Sequence, residues 1–341
     1  MVRLGINGLG RIGRCILRIA LANRNIIVEH INDINPNIHN IAYLIKHDST
    51  YGPFNGSIKI NDNILEINGS KITYSNNKNI EKVDWSKKKI NILVDSSGDK
   101  KNLINSQKLK NVVDHIVFTN SPEKKYVNKT LIFGVNENDF KKSEDFLISS
   151  SICDATAIAP VLKIIDLNFD ISEGFLTTLH PWLSYQNLLD GPSKSYALPG
   201  NIMDNFALGR ASINSLIPKN TSAMKATCEV LPSLKGKFLS NSYRVPTSIV
   251  SSADITLKVK KNINYEKIFN VLNKVNKKIL RLNNDPLIST DFIKCSNSSI
   301  FDLRFLKTMK GYLKFILWYD NEWGYSSRVI DLINYIEKKS G

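Results

Sequence analysis

The chain is poor in cysteine. Only Cys15, Cys153, Cys228 and Cys295 occur in 341 residues, widely scattered and with no C-x-x-C pair, so their spacing indicates neither a disulfide framework nor a zinc site. Long apolar runs are missing too. Nothing approaches the roughly 18 consecutive apolar residues of a membrane span, and the chain enters a strand-like segment at Val2 without the charged leader and apolar stretch of a signal peptide. A cytoplasmic protein with no membrane partner is the expectation, and a reducing compartment suits a reactive thiol. Acidic residues are the minority charge, 31 Asp and Glu against 46 Lys and Arg, which leaves a net +15. Such an excess fits nucleic acid, an acidic surface, or an anionic substrate and cofactor. Yet the lysines run along the whole chain with asparagine and isoleucine, as in NNKNIEKVDWSKKKINILV and KKNINYEKIFNVLNKVNKKIL, which reads as compositional bias rather than a patch. With no recognisable binding motif, no specific nucleic-acid partner is expected.

What is present is enough for two packed domains, since 42% of the residues are apolar and the length exceeds one comfortable core. Up to about Ser151 short apolar runs alternate with helical stretches: VRLGIN, a helix over Ile12 to Ala22, IIVEHIND, a helix near Ile38 to Lys46, then KINILVDSSG and HIVFTNS. That alternation predicts a parallel sheet of βαβ units. After Cys153 the character changes to one helix, then longer strand-like segments (GFLTTLH, SYRVPTSIV, SSADITLKVK, KGYLKFILWYD) broken by helical stretches around Tyr265 to Leu280. This predicts an α+β domain with a mixed or largely antiparallel sheet. In the last segment Val329, Leu332, Ile333 and Ile336 have helical spacing. The expected organisation is an α/β chain: a dinucleotide-binding domain over residues 1–152, a catalytic domain over 153–321, and a C-terminal helix at about 322–341 packed back on the first.

The loop GINGLGRIGR carries Gly8-x-Gly10-x-x-Gly13 between an apolar strand and a helix, with Asp33 twenty residues beyond Gly13 at the end of a second strand. Such glycines permit a tight turn and close approach of backbone to a pyrophosphate at a helix N-terminus. A carboxylate at the second strand's end binds the ribose 2′-hydroxyl and repels a 2′-phosphate, which favours NAD over NADP. Cys153 follows Ser149, Ser150 and Ser151 and precedes the helical apolar pattern Ile158, Val161, Leu162, Ile165. It therefore falls at a helix start, where backbone N–H groups and the dipole favour a thiolate and later an oxyanion. His180 lies twenty-seven residues on, in TTLHPW. Alone it reads as a satisfied core histidine at a strand end; with a cysteine in reach it reads as a base. Arg244 fits either a surface arginine or an anion anchor, and the residues leave both open.

These segments resemble the glyceraldehyde-3-phosphate dehydrogenase family over essentially the whole chain. The markers are GINGLGRIGR, KHDSTYGPF, the Cys153 segment ending in AP, QNLLDGP, SLIP, NTSAMKA, VLPSLKGK, YRVPT and WYDNEWGYSSRVIDL. The resemblance implies a Rossmann NAD-binding domain, a catalytic domain, a C-terminal helix returning to the first, a homotetramer and a place in carbohydrate metabolism. It implies Cys153 as nucleophile forming a thiohemiacetal and then a thioester, His180 as its base, Arg244 and Thr221 as substrate-phosphate ligands, and Asn321 as anchor of the nicotinamide carboxamide. Gly8, Gly10, Arg11, Ile12, Gly13 and Asp33 match the cofactor loop and ribose positions, and Thr119 a position near the nicotinamide.

The departures matter as much. The family usually reads S-C-T-T-N at the nucleophile, whereas this chain has Ile152-Cys153-Asp154-Ala155-Thr156. Two hydroxyls that the resemblance assigns to inorganic phosphate are gone. Asp154 instead puts a carboxylate beside the thiol and near the path of a phosphate dianion. At an effective dielectric of about 20, two unit charges 4 Å apart repel by about 4 kcal/mol. Alternatively the Asp154 carboxylate caps its own helix. The family's H-x-Y-T-x-D-Q becomes His180-Pro181-Trp182-Leu183-Ser184-Tyr185-Gln186, with Leu183 in place of a phosphate-binding threonine. Thr221 remains but is followed by Ser222 instead of glycine. Between Gly191 and Arg210 the loop SKSYALPGNIMDNFALG is several residues longer than usual and lacks the arginines common there. The expectation is an NAD-dependent oxidoreductase acting on a phosphorylated aldehyde. The alternatives are a non-phosphorylating or altered-substrate relative, and a diverged NAD-binding regulatory protein with little turnover.

Overall fold

The early alternation of apolar runs and amphipathic stretches builds a layered α/β unit. In this computed structural model, which describes residues 1–193 and 205–340, the chain divides into two units, Met1–Ser151 with Ser326–Gly341, and Ile152–Tyr325. The first unit runs β1 (Val2–Asn7), α1 (Arg11–Leu21), β2 (Ile26–Asn32), α2 (Ile38–Lys46), β3 (Ile58–Asn61), β4 (Ile64–Ile67), β5 (Ser70–Ser75). It continues with β6 (Ile92–Asp95), α3 (Lys100–Asn105), β7 (His115–Phe118), β8 (Lys129–Thr130) and β9 (Leu147–Ser149). These strands form one sheet in the order β3-β4-β5-β2-β1-β6-β7-β9-β8. Every residue of β6 and β7 is buried, as strands covered on both faces require.

From β5 to β8 the sheet is parallel, as the βαβ alternation predicts, but β3 and β4 add an antiparallel edge. The cause is local. Asn68 and Gly69, both at positive φ, connect β4 to β5 as a two-residue turn, too short for a crossover and suited to a hairpin.

The second unit runs α4 (Cys153–Phe169), β10 (Ile171–Pro181), β11 (Ile217–Lys219), α5 (Ala223–Val230), β12 (Phe238–Val245), β13 (Ser251–Val259), α6 (Tyr265–Leu272), β14 (Leu280–Asn283), β15 (Ser299–Met309) and β16 (Tyr312–Tyr319). Its sheet has the order β11-β12-β10-β13-β16-β15-β14, with β10/β12 and β14/β15 parallel and the other pairs antiparallel. The helical pattern read from the sequence is the buried stripe of α4: Ile158, Val161, Leu162 and Ile165 pack with Leu176, Ile255, Leu257 and Phe315 of the sheet. Each such side chain contributes about 1.5–3 kcal/mol on leaving water. The helical stretch expected to reach Leu280 ends at Leu272. Asn264 caps its start through Lys267 N–H, and past its end the Asn276 side chain accepts from Lys278 N–H, an asparagine turn that competes with further helix.

The closing helix α7 (Trp323–Ser340) buries Val329, Leu332, Ile333 and Ile336. Within the first unit Asn91 donates to Glu337 at 2.6 Å, Tyr335 donates to Asn138 at 2.9 Å, and the His115 ring meets Ser340 Oγ at 3.1 Å. Residues 194–204 of the lengthened loop expected between Gly191 and Arg210 lie outside the described residues. Its flanks are joined, with Gly191 N–H donating to Gly209 O and Arg210 pairing with Asp190 at 2.9 Å.

Candidate active site

In the first unit, the turn between β1 and α1 is built for a close neighbour. Gly8 has φ +90°, and a Cβ there would lie 2.7 Å from Ser97 backbone; one at Gly13 would lie 2.0 Å from Gly8 O. Gly10 is the N-cap of α1 and has no side chain to cap it, so the first N–H groups, at Arg11 and Ile12, face no side-chain acceptor of the cap. Asp33, just past β2, accepts from Leu9 N–H at 2.6 Å with one oxygen and from Asn35 N–H at 2.9 Å with the other. That holds a carboxylate against the loop, where a ribose hydroxyl donor suits it. These residues fit a dinucleotide without a 2′-phosphate. The Arg11 guanidinium pairs with Asp48 at 2.8 Å and lies over the Tyr51 ring, so Arg11 offers the loop its backbone rather than its side chain. Thr119 follows β7 and is tied by its N–H to Asp95 O.

The second unit collects the reactive groups. Cys153 is the first residue of α4, whose N-cap is Ile152. Because Ile152 has no hydrogen-bonding side chain, the helix start carries no side-chain cap. The parallel pairing of β10 with β12 sets His180 directly beside Arg244 at the strands' C-terminal ends. His180 Nε2 lies 3.6 Å from Cys153 Sγ, and His180 Nδ1 lies 2.8 Å from Pro181 O. A carbonyl oxygen can only accept, so in the neutral ring Nδ1 carries the proton and Nε2 presents its lone pair to sulfur.

Asp154 does not cap α4. Its Oδ1 accepts from Tyr319 OH at 2.7 Å, at the end of β16, and lies 3.7 Å from Cys153 Sγ. The reason is reach: a fully buried tyrosine hydroxyl needs a partner, and this carboxylate is the one it meets. Burial pushes the Cys153 thiol well up, and the Asp154 charge adds to it; the Arg244 charge and the Asp154 backbone N–H pull the other way without prevailing. His180 is pulled down to about 4, first by burial and then by Arg244. The resting pair is therefore neutral thiol and neutral imidazole at pH 7.

Arg244 is only 6% exposed, and its Nε–H has no acceptor among the described residues. A buried guanidinium with an unanswered donor suits an anionic ligand. Thr221 stands before α5, its Oγ1 accepting from Ala223 N–H at 3.1 Å. Asn321 follows β16, 5% exposed, with its side-chain oxygen unpartnered among the described residues. Its Oδ1 is thus available to an amide N–H donor. Leu183 brings no hydroxyl; its N–H donates to Gln186.

Two residues of this neighbourhood escape sequence reasoning. Tyr319 sits in the WYDNEWGY segment with nothing in its spacing to tie it to Asp154. Lys219, two residues before Thr221, is half-buried and held below the usual lysine range by burial and by Arg244, while Asp154 and Cys153 pull it the other way. A lysine within an apolar-flanked LIPKN segment is the only signal the sequence offered.

Comparison with known proteins agrees with both halves of the chain. Residues 2–103 match the family model described as glyceraldehyde 3-phosphate dehydrogenase, NAD binding domain, and residues 152–321 match the C-terminal domain of the same family. The chain is 36% identical to glyceraldehyde-3-phosphate dehydrogenase of Eremothecium gossypii over 98% of its length and 99% of that protein. It is 37% identical to glyceraldehyde-3-phosphate dehydrogenase 1 of Schizosaccharomyces pombe, covering 99% of the chain and 98% of the relative. A chloroplastic relative from Arabidopsis thaliana is 36% identical over 98% of the chain and 78% of its own. A nucleotide loop shaped for NAD and a helix-borne cysteine facing an imidazole, within two matched domains, make this chain a member of the glyceraldehyde-3-phosphate dehydrogenase family and an NAD-dependent oxidoreductase of that kind.

Proposed function

We propose that the protein oxidises glyceraldehyde 3-phosphate, or a closely similar phosphorylated aldehyde, through a thiohemiacetal and a thioester on Cys153. The observation that carries this reading is the Cys153 Sγ to His180 Nε2 contact of 3.6 Å with the ring oriented by Pro181 O. As sulfur attacks the aldehyde carbon, Nε2 takes the thiol proton, which relieves the need for a free thiolate in a site where burial disfavours one. The imidazolium returns that proton to the former aldehyde oxygen, completing the thiohemiacetal hydroxyl, and the neutral ring then accepts the hydroxyl proton as the hydride leaves. Bound NAD⁺ supplies the hydride acceptor, and Gly8, Gly10, Gly13, the Arg11 and Ile12 N–H groups, Asp33, Thr119 and Asn321 are the residues proposed to hold it. Arg244 binds the substrate phosphate, supported by its buried and unanswered Nε–H. Thr221 adds its hydroxyl, which retains donor capacity while accepting from Ala223 N–H.

The acyl acceptor is a separate matter. Ile152 and Leu183 offer no hydroxyl, and Asp154 holds a carboxylate 3.7 Å from the sulfur. These substitutions favour weakened use of inorganic phosphate, with water or another acceptor cleaving the thioester. A burst assay decides it: excess protein, NAD⁺ and glyceraldehyde 3-phosphate, with NADH absorbance followed without and then with inorganic phosphate. A burst indifferent to phosphate is expected. Rapid turnover on adding phosphate overturns the altered-acceptor reading but keeps the dehydrogenase, and absence of any burst overturns the substrate.

Assembly as a homotetramer and a cytoplasmic location belong to the same proposal. Phe175 and Leu239 are register partners on β10 and β12 and are 50% and 72% exposed, an apolar face that a neighbouring copy would cover. Four free cysteines suit a reducing compartment, and no helix among the described residues is long and apolar enough to cross a membrane.

A further inference from the structure

The replacement at Asp154 gives the reactive cysteine a second kind of neighbour, and with it a second chemistry. Cys153 Sγ, Asp154 Oδ1 and His180 Nε2 stand at 3.6 Å (S to N) and 3.7 Å (S to O), and all three donor atoms fall within 4.8 Å of one another. Tetrahedral zinc bonds sulfur at about 2.3 Å and nitrogen or oxygen at about 2.0–2.1 Å, which places sulfur about 3.5 Å from the other two donors, as here, and the nitrogen and oxygen about 3.3 Å from each other. His180 Nε2 and Asp154 Oδ1, now within 4.8 Å, therefore draw together as the metal enters. We propose that Cys153, Asp154 and His180 form a three-donor site for a soft divalent cation such as Zn²⁺, open at its fourth position, whose occupation reversibly blocks the nucleophile.

The supporting atoms are already in place. Metal-bound histidines nearly always donate their other ring N–H to a carbonyl or carboxylate, and Nδ1 of His180 does so to Pro181 O at 2.8 Å. Carboxylate ligands are in turn hydrogen-bonded, and Tyr319 OH holds Asp154 Oδ1 at 2.7 Å. Charge balance points the same way. A thiolate beside a carboxylate is a buried double negative charge, and a dication neutralises it. Binding forms the metal–sulfur bond, breaks the S–H bond and releases one proton to solvent, with no change of oxidation state. Arg244 and Lys219, the cations that act on Cys153 and on its neighbours His180 and Asp154, oppose any cation held only by electrostatics. The site therefore selects metals that bond thiolate covalently and rejects Mg²⁺ and Ca²⁺. Cysteine spacing could not reveal it, because its ligands come from two elements and from an aspartate.

The test uses the full chain without cofactor or substrate, in buffer free of thiols and chelators, so its failure leaves the dehydrogenase reading untouched. Cobalt(II) is the probe: a thiolate-to-cobalt charge-transfer band with strong visible absorption is expected at one equivalent, displaced by Zn²⁺ and unaffected by Mg²⁺. The band should vanish in Cys153→Ser, which preserves size and fold. Asp154→Asn, which keeps an oxygen for Tyr319, should weaken Zn²⁺ binding by tenfold or more. Zn²⁺ should also slow iodoacetamide labelling of Cys153, with chelator restoring it. A charge-transfer band that persists in Cys153→Ser, or an unchanged Zn²⁺ affinity in a folded Asp154→Asn, overturns the proposal.

Discussion

At the scale of single residues, the chemistry turns on what surrounds one sulfur. Burial and the Asp154 carboxylate both push the Cys153 thiol up, so removing the charge should bring it down. In chelated buffer, the pH profile of Cys153 alkylation in Asp154→Asn should lie at lower pH than in the wild type, since the thiolate no longer forms beside a negative charge; a profile moved upward would contradict this account. Asp154→Thr should raise turnover with inorganic phosphate, because a repelling charge gives way to a hydroxyl donor, and a steady-state phosphate titration reads it. Arg244→Ala should lower kcat/KM for the phosphorylated aldehyde by about 1.5–3 kcal/mol, roughly 10- to 150-fold, while leaving unphosphorylated glyceraldehyde little affected. At this scale the sequence was only half legible. Cys153, His180 and Asp33 announce themselves through helix start, strand end and loop spacing. Tyr319 and Lys219 do not, because their role depends on tertiary packing that brings strand residues against Asp154 in the first turn of α4.

The elements explain why those side chains meet. The stripe Ile158, Val161, Leu162 and Ile165 was readable as period 3.6, and it is this face that fixes α4 and so aims Cys153. Ile165→Ala, three turns from the sulfur, should cost about 2–5 kcal/mol by the large-to-small rule, seen as an earlier denaturant midpoint of the second unit with thiol labelling of the folded protein unchanged. By contrast, the adjacency of His180 and Arg244 arises from a parallel pairing between β10 and β12, strands separated by more than fifty residues of chain. No local pattern encodes that register. The antiparallel edge of β3 and β4 was missed for a related reason: the period-2 pattern there is short, and the tight turn at Asn68 and Gly69, not hydrophobicity, decides the direction.

At the scale of the molecule, composition was the least informative guide. The net charge of +15 is spread along the chain and marks no single partner. Exposed apolar residues say more. If copies assemble through the Phe175 and Leu239 face, Phe175→Asp combined with Leu239→Asp should lower the sedimentation coefficient to that of a smaller species while circular dichroism stays unchanged; an unaltered assembly would place the interface elsewhere.

The closing helix carries a consequence for synthesis. The strands of the first unit are complete by Ser149, yet the segment from Ser326 onward that packs with them is made only after the whole second unit. At bacterial-to-eukaryotic elongation rates of about 5–20 residues per second, the intervening 174 residues, 152 to 325, take roughly ten to thirty seconds. During that interval a nascent nucleotide domain emerges with the seat of Val329, Leu332, Ile333 and Ile336 uncovered. The second unit can fold on the ribosome before the first is finished, so the N-terminal half, first to be translated, is the last to be completed and the one most in need of a chaperone while it waits.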